Sequence, residues 1–281
     1  MNELEIVMWA INVPEQLEKC CISFNNKSND IKTKDCILYI NVDPYPTNEN
    51  ITQMKTISEK YFKKVEIRYG SKIGDLLHGV PELIKKVKND FFFIMPGGRT
   101  WHGEKFSILK MYEKLKNEDK NVVEICMFCD KENIYRKYLL DPCVLFRTSF
   151  IKEKILPNYS PFLCWEYQLR EIGLLENVKS RNYELNDNPY KYYGGTYFSQ
   201  SFKKKKNIFF GNISTDEEIK KIIDENGEWH QIIFEKYKNN KNVSKKVLKN
   251  FKKKINNKKW IYRWTGVRTY VPNTKYYLRH Y

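Results

Sequence analysis

No aspartate or glutamate lies in residues 236–281, although that stretch holds fifteen lysines and arginines. The rest of the chain carries 35 basic and 34 acidic residues, so the formal net charge of +16 belongs almost wholly to the C-terminal segment. Long apolar runs are missing as well. The longest, around residues 91–95 and 122–128, have the length of buried strands and fall far short of the ~20 residues that cross a bilayer. The start, Met1-Asn2-Glu3-Leu4-Glu5, is acidic and lacks the basic opening and small-residue cleavage site of a secretory signal, which predicts a cytoplasmic protein. The seven cysteines are odd in number and scattered, which suits a reducing compartment better than a disulfide framework. Cys126 and Cys129 form a C-x-x-C, but no second Cys or His pair at zinc spacing follows, so buried strand cysteines are the favoured reading over a metal or redox pair. At 281 residues and 41% hydrophobic, the chain is long and apolar enough for one large core, or one core with a small appendage.

The basic segment has texture. Val247, Leu248, Phe251 and Ile255 recur at helical spacing, with lysines on the other face. Trp260, Tyr262, Trp264, Tyr270, Tyr276, Tyr277 and Tyr281 follow, interleaved with arginines. A basic amphipathic helix followed by Trp and Tyr is the pattern of an anchor on an anionic membrane surface. The same pattern fits a solvated helix whose apolar residues pack on the domain before it. A nucleic-acid surface would use the same charges and rings, but no zinc-finger, RNP or helix-turn-helix signature accompanies them.

Ahead of this segment strands alternate with helices. Strands are expected at residues 5–11, 36–42, 65–69, 90–95, 122–128 and 141–147. Helices are expected at 15–23, 51–61, 73–88 (interrupted near Gly79 and Pro81), 106–115 and 167–175, with two further pieces within 216–237. Asn186-Asp187-Asn188 and the stretch around Gly194-Gly195 read as loops. The alternation predicts an α/β domain with an open, mostly parallel sheet flanked by helices. Ligands of such sheets bind beyond the carboxyl ends of the strands. Here those ends hold Asn12, Asp43, Arg68 with Gly70, and Pro96-Gly97-Gly98-Arg99.

These positions, taken in order, resemble the family-2-like glycosyltransferases of the GT-A fold. Ile11-Asn12-Val13-Pro14-Glu15-Gln16-Leu17 is similar to the family's first loop and helix. Cys36–Asp43 is similar to its second strand, whose terminal Asp contacts the nucleotide. Residues 70–84 resemble the loop and helix before the metal-binding strand, and 90–95 that strand itself. Residues 141–147 resemble the strand beside the acceptor, and Cys164-Trp165-Glu166-Tyr167-Gln168-Leu169-Arg170 the stretch holding the catalytic carboxylate. The likeness spans about residues 5–175.

Two departures stand out. Where the family places an Asp-x-Asp for a divalent cation, this chain has Pro96-Gly97-Gly98-Arg99 with no carboxylate, which leaves the need for a cation open. Arg99, helped by Lys72 or His102, could supply positive charge to a diphosphate, with the backbone of Gly97 and Gly98 close by. A plain turn with a surface arginine is the alternative. The second departure puts Glu166 in place of the family's Asp, as general base.

The resemblance implies a Rossmann-like GT-A domain over residues 1–235 and a basic extension over 236–281. It implies a nucleotide-sugar donor contacted by Asn12, Asp43, Lys72, Gly97, Gly98 and Arg99, a glycan or lipid-linked acceptor near Trp165 and His102, and an inverting transfer. Peripheral membrane association through 236–281 completes the expectation. A non-catalytic GT-A-like binding module and a nucleic-acid-binding protein are the rival readings.

Overall fold

The computed structural model describes residues 3–43, 49–70, 76–127, 135–136, 143–160, 165–183, 190–192 and 228–255. Lys72, the Asn186-Asp187-Asn188 and Gly194-Gly195 loops, the first of the two pieces expected within 216–237, and the aromatic run from Trp260 lie outside them.

The chain begins with a strand and a crossover helix. β1 (Leu4–Ile11) stops before Pro14, which opens α1 (Pro14–Lys27) at a position where a missing N–H is harmless. β2 (Cys36–Asp43), α2 (Ile51–Tyr61), β3 (Lys64–Tyr69), α3 (Leu76–Lys86) and β4 (Phe91–Pro96) repeat the pattern. β1, β2 and β4 are buried nearly throughout, as parallel strands covered on both faces must be. α3 runs unbroken through Gly79 and Pro81, against the expected interruption. Pro81 is only the sixth residue of α3, so one backbone bond is forfeited. Gly79 meanwhile lets the helix lie close on β2: a Cβ there would stand 1.8 Å from Asn41 Oδ1.

β5 (Arg99–Trp101) follows at once, where a loop was expected. α4 (Ile108–Asn117), β6 (Val122–Cys126), β7 (Tyr135–Arg136) and β8 (Val144–Arg147) come next. A three-residue helix α5 (Thr148–Phe150) leads into two further turns. α6 (Trp165–Leu175), β9 (Lys179–Asn182) and β10 (Tyr190–Tyr192) then follow. Two helices close the described chain: α7 over residues 228–237 and α8 (Lys245–Ile255).

Eight strands form one sheet in the order β3-β2-β1-β4-β8-β6-β9-β7, and β10 pairs with β5 apart from it. β3, β2, β1 and β4 are parallel; β8 runs against β4 and β6, while β9 is parallel to β6. The expected mostly parallel α/β sheet is present. One core packs α1, α2, α4 and β5 on one face, centred on Phe24, Trp101, Phe106 and Met111. The other packs α3, α5, α6, α7 and α8 on the opposite face.

Local caps fasten the layers. Asp30 accepts from the amides of Ile108 and Leu109 and so closes the N-terminus of α4 from the loop after α1. Glu5, buried in β1, accepts from the Tyr39 hydroxyl (2.9 Å) and from the amides of Lys88 and Asn89 (2.8 and 2.7 Å), tying β1 and β2 to the turn before β4.

The C-terminal helices do not form a separate unit. Trp229, Ile233, Tyr237, Val243 and Phe251 are buried in the second core, so a boundary after residue 235 cuts through α7 and parts it from α8. Phe251 lies 6.2 Å from the Trp229 ring, and Lys254 pairs with the buried Glu171 of α6. The apolar stripe read as a membrane-inserting face is thus turned onto the domain itself. An amphipathic pattern marks an apolar neighbour without saying whether it is lipid or protein.

Candidate functional site

The carboxyl ends of β1, β2, β3 and β4 fall on one edge of the sheet because the four strands are parallel. Ile11 stands opposite Asp43, and the amide of Asn12 donates to the Asp43 carbonyl at 2.9 Å. Both side chains are buried. The sheet thus brings together the two residues that sequence placed at the ends of β1 and β2. α1 starts two residues later, so its N-terminal dipole, which favours anions, lies at the same edge.

Two residues back along the strands, register places Trp9, Asn41 and Arg68 in a row. Arg68 donates from Nη1 to Asn41 Oδ1 at 2.6 Å, and α3 closes over the pair at Gly79. Asn41 and Asp43 are two residues apart and so share a face. The sequence reading singled out neither Trp9 nor Asn41. A polar Asn inside the otherwise apolar run of β2 was the available signal.

Gly97 donates its amide to the Trp9 carbonyl at 2.7 Å, and a Cβ there would stand 2.8 Å from the Ala10 Cβ. Gly97 is therefore a close-packing glycine whose N–H is engaged in extending the sheet, and Gly98 lies against Gln16. Arg99 is not a surface residue: it is 2% exposed. Alternation along β5 turns Arg99 and Trp101 inward and leaves Thr100 half-buried. The Arg99 guanidinium reaches Cys143 Sγ at 3.8 Å, where Cys143 adopts a left-handed backbone (φ 67°) before β8.

β5 leads away from this edge. The Trp101 amide donates to the Ser23 hydroxyl oxygen at 3.1 Å, Lys27 donates to the Gly103 carbonyl, and the Phe106 amide donates to the Lys27 carbonyl. The chain thus runs back along α1 from Gln16 to Lys27. His102, exposed and 2.8 Å from Thr100 Oγ1, is carried toward the amino edge, away from Asn12 and Asp43.

Trp165 is 4% exposed and packs in the second core, 6.1 Å from the Tyr159 ring. Stacking on a sugar needs a free ring face, so Trp165 here is a packing residue. α6 ends where β9 begins, at the amino edge. Its first turn, which carries the backbone of Glu166, therefore lies toward the carboxyl edge. Gln168 holds α6 by bonding both the amide and the carbonyl of Ser160 (2.7 and 2.8 Å).

Solved structures of low sequence identity share the fold. S. aureus TarS superposes with a TM-score of 0.52 at 10% identity, over 91% of this chain and 43% of that one. TarS 1-349 in complex with UDP-GlcNAc gives 0.51 at 10%, over 91% and 72%. Mannosyltransferase PcManGT from Pyrobaculum calidifontis, in complex with GDP-Man and Mn²⁺, gives 0.51 at 7%, over 92% and 71%. The fold is GT-A-like. This chain spans less than half of the TarS chain. No family model and no curated protein matches the sequence.

The GT-A likeness makes a divalent cation at the end of β4 a question of fit. Pro96-Gly97-Gly98-Arg99 offers no carboxylate there, and a buried guanidinium follows directly. Hard cations need several oxygen ligands. The residues at that place do not fit one, and no group of three His, Cys, Asp or Glu stands together among the described residues.

Proposed function

We propose that this GT-A-like chain transfers a sugar from a nucleotide-sugar to a hydroxyl of a glycan or lipid-linked acceptor. The observation that carries the reading is the joined pair Asn12 and Asp43 at the carboxyl edge, beside the N-terminus of α1. The fold likeness to structures that hold UDP-GlcNAc and GDP-Man supports it.

In this reading Asp43 and Asn12 hold the nucleoside. Gly98 and the α1 N-terminus face the diphosphate, and Lys72 adds positive charge. Arg99, turned inward on β5, adds positive charge for the diphosphate. The acceptor oxygen attacks the anomeric carbon as the bond from that carbon to the diphosphate oxygen breaks. The nucleoside diphosphate leaves with the electron pair, the acceptor proton passes to the carboxylate of Glu166, and configuration inverts. No cation at the end of β4 enters this scheme.

The carboxylate-free end of β4 also favours a second reading, a nucleotide-sugar-binding module without turnover. A thermal-shift screen against nucleoside diphosphates and nucleotide-sugars, with Mn²⁺ or with EDTA, tests both. A ligand at a hundredfold its dissociation constant adds about 2.7 kcal/mol. A shift with one nucleotide that survives EDTA is expected. No shift with any of them would count against donor binding altogether.

A further inference from the structure

The fold removes the apolar face of α8 from solvent and leaves its lysines behind. Phe251 is buried, and Val247 and Leu248 pack on the second core. Lys254 is committed to Glu171. Lys245, Lys246, Lys249, Lys252 and Lys253 are exposed, and residues 236–255 contain no acidic side chain. Nearby acids are engaged: Glu235 of α7 pairs with Lys238, and Glu176 with Lys154 and the Tyr237 hydroxyl. An 11-residue helix that keeps five exposed lysines, on a chain whose first 235 residues are close to neutral, is a concentrated cationic surface.

We propose that this lysine face of α8 docks the protein on an anionic lipid bilayer by charge alone, lying against the headgroups without inserting the helix. Insertion needs a free apolar face, and α8 has turned its own onto α6 and α7. Lysines are mobile point charges that suit a fluid layer of headgroups, whereas arginine's rigid fork suits phosphate and base edges. All nine cations of residues 236–255 are lysines. The exposed face of α8 also carries no ring on which a base could stack. The inference gives the lipid-linked acceptor of the proposed function its surface, and so rests on that reading for its purpose. Docking itself is read without turnover.

The test is co-sedimentation of the full chain with phosphatidylcholine vesicles, with and without phosphatidylglycerol, at low and high salt. Binding is expected only with the anionic lipid and only at low salt. Each lysine removed should weaken partition about fivefold, so K245Q/K246Q/K249Q/K252Q/K253Q should lose at least about a hundredfold. K55Q/K85Q/K110Q/K116Q/K120Q, with as many exposed lysines neutralised elsewhere, should stay within about twofold, with both melting curves recorded to confirm folding. Equal binding by the α8 variant, binding to neutral vesicles, or binding to an oligonucleotide but not to vesicles would each overturn the proposal. Absence of transferase activity would leave the vesicle result standing.

Discussion

The amide of Asn12 donates to the carbonyl of Asp43 at 2.9 Å, joining the first residue beyond β1 to the last of β2. The bond is made by backbone, so substitution of either side chain leaves the edge in place. Asp43→Ala should therefore fold like the parent chain yet weaken nucleotide binding by at least about tenfold, the loss of one hydrogen bond to a charged group. Titration calorimetry checks it; unchanged affinity would remove Asp43 from the site.

Gly79 is where α3 meets Asn41 and Arg68. A Cβ there falls 1.8 Å from Asn41 Oδ1 and 2.8 Å from Arg68 Nη1. Gly79→Ala gains helix propensity but must displace this pair, and the clash should win, with a net loss of about 1–3 kcal/mol. Urea unfolding measures it. A stabilised variant would show that α3 stands off from β2.

The strands that lead into this edge were legible because parallel strands buried on both faces read as continuous apolar runs, as in Cys36–Asp43. β5, β9 and β10 were not: each has three or four residues, too few for a period, and the alternation that buries Arg99, expected either to contact a diphosphate or to lie on the surface, was not visible in sequence. α8 shows the limit most clearly. Its stripe of Val247, Leu248 and Phe251 is the same whether lipid or protein covers it, and only the fold names Trp229 as the neighbour.

The integration of α7 and α8 has a measurable cost. A chain ending at residue 235 loses Tyr237, Val243 and Phe251 from the second core and should lose at least about 3 kcal/mol of stability, the scale of one buried aromatic. Lys254→Met leaves Glu171, 2% exposed, with Arg170 as an ion-pair neighbour at 3.4 Å, and should cost about 2 kcal/mol. A truncated chain with an unchanged melting curve would contradict the packing.

Alkaline pH should unfold the protein early. Burial pushes the thiols of Cys20 and Cys36 up to about 12, and burial together with the Glu5 carboxylate does the same to the Tyr39 hydroxyl. In the unfolded chain thiols release their protons near 8.5 and phenols near 10. The fold holds more protons than the unfolded chain across that window. Stability from these groups is therefore complete below about pH 8 and is lost as pH rises toward 12. The melting temperature should fall from about pH 9 upward, and Tyr39→Phe should flatten the upper part of the fall. In the folded chain Cys20, Cys21, Cys36, Cys126 and Cys143, all buried, should resist a thiol reagent at neutral pH.

The most direct test of the account is turnover of the nucleotide-sugar selected by the thermal-shift screen, followed as release of nucleoside diphosphate in EDTA by the parent chain and by Glu166→Gln. The account predicts release by the parent, lowered at least about a hundredfold in Glu166→Gln with donor affinity unchanged. No release by a parent chain that binds the donor, or equal release by the two proteins, would contradict it.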